Sequence, residues 1–179
     1  MTQALDRTGN LLGALALAVS DRTAEALDSA VGRSDSAAAA LSALLNFLDR
    51  PSIDLLRQVL GLTSSGTVRL VDRLQKEGLV RRGQGPDGRT TTVSLTPEGR
   101  RAAERVAAAR AAVLTSALAT LSAEERITLE ELTGNVLRGM IRGPGAVRWT
   151  CRLCDLDACG RSEGRCPVAN AARERYGAP

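Results

Sequence analysis

Apolar residues recur at spacings of three and four through most of the chain before residue 142, broken by short groups of glycine, serine and proline. Such spacing lines one face of an α-helix and predicts a mainly helical fold. Leu5, Leu12, Leu15, Val19, Leu27 and Val31 mark a first helix over residues 5–31, closed by Gly32. Ser34 or Asp35 suits the cap of a second, over 37–48, with Leu41, Leu44, Leu45 and Leu48 on one face. A third runs over 52–60, with Pro51 where a helix begins and Gly61 at its end. A fourth, over 65–77, starts at Thr63 or Ser64 and turns Val68, Val71 and Leu74 inward; Gly78 closes it.

The period then changes. Leu79-Val80-Arg81-Arg82 and Thr91-Thr92-Val93-Ser94-Leu95 are β-prone runs around Gly83-Gln84-Gly85-Pro86-Asp87-Gly88-Arg89, which predicts a hairpin. Thr96-Pro97-Glu98 opens a long helix, with Thr as cap, Pro in the first position and Glu at the positive helix end. Ser122-Ala123-Glu124-Glu125 opens another, reaching about residue 141. Gly143-Pro144-Gly145 interrupts the chain, and the composition changes after it. The expected division is a helical body over 1–141 and a tail over 142–179.

Only 2% of the 179 residues are aromatic, so Leu, Val, Ile and Ala must fill the core, which favours packed helices. No apolar run approaches the roughly 20 residues of a membrane span. The stretch 11–19 is short, contains Gly13 and lacks a basic leader and a cleavage site, so the expectation is a cytoplasmic chain without a signal peptide. Charge is uneven. Residues 50–101 hold ten basic and five acidic side chains, whereas residues 1–49 hold three and six. A cationic segment within a balanced chain fits a nucleic-acid reader.

Two helices joined by a tight turn and followed by a hairpin form a winged helix-turn-helix, here about 52–77 with a wing over 79–95. Thr63, Ser64 and Ser65 offer hydroxyl and backbone N–H groups to phosphate or base edges. Gly66 permits close approach, Arg69 projects from the outer face toward guanine or phosphate, and Arg89 sits at the wing tip. Taken singly, each serine is only a cap and each arginine only a solvated charge; the order of the elements is what points to double-stranded DNA.

These residues resemble the multiple antibiotic resistance regulator (MarR) family. The matching stretches are Leu60-Gly61-Leu62-Thr63-Ser64-Ser65-Gly66-Thr67-Val68-Arg69-Leu70-Val71-Asp72-Arg73-Leu74, then Gly78-Leu79-Val80, Asp87-Gly88-Arg89 and Leu95-Thr96-Pro97-Glu98-Gly99-Arg100. The resemblance implies a homodimer built from the first helix and the last two helices of the body. It implies a repressor on a pseudo-palindromic operator, with one recognition helix per half-site. It also implies that Asp87 pairs with Arg73 and that Arg89 enters the minor groove. Gly88 stands where the family often has a second wing arginine. Family members respond to phenolic ligands or to oxidation of an N-terminal cysteine, but this chain has no aromatic-lined pocket in view and no cysteine before residue 151. A small-molecule inducer is therefore not indicated.

All four cysteines fall in the tail as Cys151, Cys154, Cys159 and Cys166, a C-x2-C-x4-C-x6-C pattern. Clustered thiols in a chain expected to be cytoplasmic point to a metal rather than to disulfides. With no histidine in the chain, four thiolates make a closed tetrahedral zinc site. An iron–sulfur cluster is the first alternative, since Cys166 precedes Pro167 as in some cluster motifs, and redox-active thiols without a metal are a further one. Arg152, Arg161 and Arg165 can offset the thiolate charge, and Trp149, Leu153, Leu156 and Val168 can anchor the tail. The site is expected to be structural, with a sensing role open. An enzyme is not expected, because no nucleophile–base pair, paired acids or open metal position is in view. A winged-helix protein-interaction module is the remaining alternative, opposed by the cationic midsegment.

Overall fold

The computed structural model describes residues 6–32, 35–143 and 145–177; Leu5, Ser34 and Pro144, which entered the expectations above, lie outside them. Its elements run α1 Arg7–Val31, α2 Asp35–Asn46, α3 Ile53–Leu60, α4 Ser64–Lys76, β1 Val80–Gln84, β2 Thr91–Leu95, α5 Pro97–Ala117, α6 Ala123–Met140, α7 Ala146–Thr150 and α8 Pro167–Tyr176. The fold is mainly helical with a two-stranded antiparallel hairpin, in which Val80 faces Leu95 and Gln84 faces Thr91.

Local chemistry sets most boundaries. Thr63, Thr96 and Ser122 each accept a backbone N–H three residues on, from Gly66, Gly99 and Glu125. Glu125 returns the bond to the Ser122 N–H, completing a capping box. Pro51 does not begin α3 as expected. Ser52 is the cap, its hydroxyl accepting from Leu55, and the Pro51 carbonyl takes the N–H of Val93. Ser52 bridges Thr92, so this stub extends the hairpin and ties α3 to the wing.

The main core joins α2, α3, α4, the hairpin and the start of α5, through Leu41, Leu56, Val59, Val71, Leu74, Val93 and Ala102. Gly99 shows how closely α5 meets the hairpin: a Cβ there would lie 1.8 Å from the carbonyl oxygen of Leu79. A second core at the end of α6 holds Ile141, Val147, Cys151, Cys166, Val168, Ala171 and Ala172. The tail therefore packs on the body, with α8 against α6 and α7 against α3. Neither tail helix was expected from the sequence.

Much of α1 and α6 is left uncovered. Only Leu27 is buried in α1 and no residue in α6. Leu11, Leu12, Leu15 and Leu17 are exposed, as are Ile127, Leu132, Val136 and Met140. Among the described residues, no helix is long and apolar enough to cross a membrane.

Candidate DNA-reading head and cysteine site

Helix α4 buries Thr67, Leu70, Val71 and Leu74. Its opposite face leaves Ser64, Ser65, Val68, Arg69, Asp72 and Arg73 exposed. Val68, expected inward, is 41% exposed. Thr67 takes the inward place because its hydroxyl donates to the carbonyl of Thr63 at 3.0 Å, which lets a polar side chain be buried at little cost. The remaining expected residues lie together at one helix start: Thr63 as cap, Ser64 and Ser65 in the first turn, and Gly66 with its N–H on the Thr63 hydroxyl.

The wing is fastened to this face by Arg82 of β1, whose guanidinium meets the Asp72 carboxylate at 2.7 Å. Asp72 lies one helical turn from Val68 and Arg69, so the pair sets the hairpin at the end of the exposed face. Asp87, expected to pair with Arg73, turns its carboxylate into its own loop. It accepts the N–H groups of Arg89 and Thr90 and the Thr90 hydroxyl. Those bonds, led by the Thr90 hydroxyl, hold its carboxyl below the usual range. Gly88 has φ +67, a conformation that costs a side chain, so an arginine in its place would be strained. Arg89 is exposed beside it. Arg50 donates to the Gln84 carbonyl at 3.3 Å and adopts φ +44, a brace with no local signal because it spans 34 positions.

The four cysteines meet in the second core, Cys151 and Cys166 buried, Cys154 and Cys159 half-buried. Each acts on its neighbours, Cys151 being raised by Cys154 and Cys166, and Cys159 by Cys166 and Cys154. The Cys151 thiol donates to the Cys154 sulfur, which holds Cys151 far above the ordinary thiol range and brings Cys154 down to about 6. Arg110 and Arg161 add to the drop at Cys154. Burial, then the bond to Cys166, raises Cys159 to about 11. Cys166 also caps α8, its sulfur accepting the Ala169 N–H at 3.4 Å. Among the described residues, no three or more Cys, Asp or Glu side chains are grouped so as to hold a metal ion. Of the arginines expected near the sulfurs, Arg161 acts on three of the thiols and Arg152 senses Cys154, whereas Arg165 pairs with Glu163. Arg110 was missed, because α5 is distant in sequence.

Residues 31–90 match the model of the MarR family. A crystal structure of a probable transcriptional regulator from Pseudomonas aeruginosa is 30% identical, with 70% of this chain and 96% of that one covered and a TM-score of 0.55. The chain belongs to the MarR family. A MarR family protein from Bacillus stearothermophilus is 26% identical over 74% of this chain and 92% of that one, with a TM-score of 0.67. CouR from Rhodococcus jostii RHA1, solved with p-coumaroyl-CoA, shares the fold at 24% identity, over 75% and 95% of the two chains, with a TM-score of 0.57. No curated protein matches. This MarR protein is thus a DNA-binding transcription regulator by family, with the winged helix that the sequence order implied. The family match stops well short of the cysteines.

Proposed function

We propose that this MarR protein is a homodimeric, sequence-specific repressor that binds a pseudo-palindromic operator in the cytoplasm. The observation that carries the reading is the exposed face of α4 with the wing pinned beside it by Asp72 and Arg82. Thr63, Ser64 and Ser65 present the helix start to phosphate, where N–H groups and the helix dipole favour an anion. Arg69 and Arg73 face bases or backbone from the same helix, and Arg89 reaches the minor groove from the wing. Val68 adds an apolar surface of the kind that meets thymine methyls. Repression follows from occupying promoter DNA.

What supports the dimer is the pair of uncovered apolar faces on α1 and α6. Such faces mark interaction surfaces. A particle of twice 18.8 kDa by light scattering is the expected result, and a monomer at micromolar concentration would remove the dimer. For the DNA reading, the test is a gel shift on the chain's own promoter region at rising salt. Binding that falls steeply with salt supports it. Equal affinity for unrelated duplexes would refute sequence-specific regulation.

We read the four cysteines as a metal centre that holds the tail on the body. Zinc suits four thiolates in a chain without histidine. A second reading is an iron–sulfur cluster, which four thiolates also ligate and which Cys166 directly before Pro167 favours. Such a centre would also sense oxidants. Protein purified without oxygen separates the readings. Colourless protein with about one zinc per chain supports zinc, brown protein with iron and sulfide supports the cluster, and neither metal refutes both.

A further inference from the structure

Trp149 is the only tryptophan of the chain, yet it belongs to none of the apolar cores and is 45% exposed. One face of its indole lies on Gly61. A Cβ at Gly61 would sit 2.6 Å from the ring carbon Cζ3, so the indole rests directly on the backbone. Gly61 is the left-handed cap of α3, with φ +62. The chain runs from it through Leu62 and the cap Thr63 into the recognition helix at Ser64. The glycine under the ring is therefore the turn of the helix-turn-helix.

The indole also carries the Arg152 guanidinium, 3.9 Å from the ring centroid. The same guanidinium donates to the Trp149 carbonyl at 2.8 Å. Arg152 lies inside the C-x2-C turn, between Cys151 and Cys154. Helix α7 runs into that turn without a break, since the Cys151 N–H bonds to the Val147 carbonyl and the Cys154 N–H to the Cys151 carbonyl, both at 2.9 Å. Leu153, from the same turn, packs against the main core. Cys151, Cys154, Arg152 and the indole thus belong to one short hydrogen-bonded piece, and its tip touches the turn that leads into α4.

We propose that Trp149 is a positioning residue through which the cysteine module sets the helix-turn-helix and so the affinity for DNA. The inference rests on the DNA-reading assignment above. A large apolar side chain held for stability alone would be buried in a core, whereas this one covers a single glycine and is clamped by a residue of the cysteine turn. Moving Cys151 and Cys154 moves Arg152 and the ring, and removes the cover from Gly61.

The test is a double-variant cycle on the full chain with a fluorescently labelled duplex of its own promoter region. Cys151→Ser with Cys154→Ser is made with Trp149 intact and again with Trp149→Ala. With Trp149 intact, losing the cysteine pair should weaken binding roughly fivefold or more, the low end of ordinary coupling between sites. Trp149→Ala alone should reproduce most of that loss, and adding the cysteine changes should add little. Trp149→Phe should restore binding, because a ring still covers Gly61. Equal cysteine effects in both backgrounds, or unchanged binding on Trp149→Ala, would overturn the proposal. Trp149 emission, free of any other indole, should shift when the wild-type protein is saturated with duplex. This readout serves even if the alanine variant does not fold, and an unmoved spectrum counts against the coupling. Wild-type protein that binds no duplex sinks the DNA reading and this inference together, whereas binding with additive effects sinks the inference alone.

Discussion

Gly99→Ala should destabilise the fold by about 3 kcal/mol, a figure that follows from one contact. The added methyl would stand 1.8 Å from the Leu79 carbonyl oxygen and 2.8 Å from its carbon. Carbon and oxygen normally keep at least roughly 3.3 Å apart, so α5 and the base of β1 must separate by about 1.5 Å. Overpacking of this kind costs about 1–3 kcal/mol. The same carbonyl accepts the N–H of Thr96 at 3.0 Å, and the Thr96 hydroxyl bonds to the Gly78 and Leu79 carbonyls at 2.6 and 3.2 Å. Weakening these bonds adds about 1 kcal/mol in all, which the better helix propensity of alanine offsets. Urea unfolding at fixed protein concentration is the assay. With a slope near 2 kcal/mol/M, the midpoint should fall by about 1.5 M. Gly134→Ala is the matched control, because a Cβ there meets only Pro167, at 3.7 Å and beyond. It should stabilise α6 by about 0.5–1 kcal/mol. The wing begins one residue after Leu79, so Gly99→Ala should also weaken operator binding in buffer without urea. A midpoint within about 0.2 M of wild type, on the same slope, would refute the reasoning.

Arg89→Ala should lower the salt slope of operator binding by about one per protomer without changing sequence preference; an unchanged slope means that Arg89 neutralises no phosphate charge. Replacing thymine by uracil at each operator position should locate one position per half-site where losing the methyl costs the wild type about 0.8 kcal/mol, an effect absent in Val68→Ala. Uniform insensitivity in the wild type would remove Val68 from base reading. The wing loop should hold as pH falls through the ordinary carboxylate range. Asp87 has its pKa lowered in the fold, so its contribution is full above the unfolded value of 3.8 and is lost only as pH drops through the lower folded value. Amide signals of Arg89 and Thr90 that collapse already above pH 5 would contradict this.

The helices and hairpin of the body were legible because their signals are local. Thr63, Thr96 and Ser122 each bond a backbone N–H three residues on, and the hairpin brackets a single glycine-rich loop. Val68 was misplaced because 68, 71 and 74 share a helical spacing with 67, 70, 71 and 74. Only the bond from the Thr67 hydroxyl to the Thr63 carbonyl shows that a threonine fills the inner position. Helices α7 and α8 escaped notice because one is five residues long and the other is capped by a cysteine sulfur.

By itself, the sequence determined the order of elements, the cationic reading segment and the presence of four thiols within one short tail. These depend on neighbours a few residues apart, where periodicity and capping act. Tertiary structure alone decided that Arg82 of the wing pairs with Asp72 of the recognition helix, that the charge of Arg110 acts on Cys154, and that Trp149 lies on Gly61. Each joins residues far apart along the chain, and such pairings are selected by how whole helices pack, which no local pattern records.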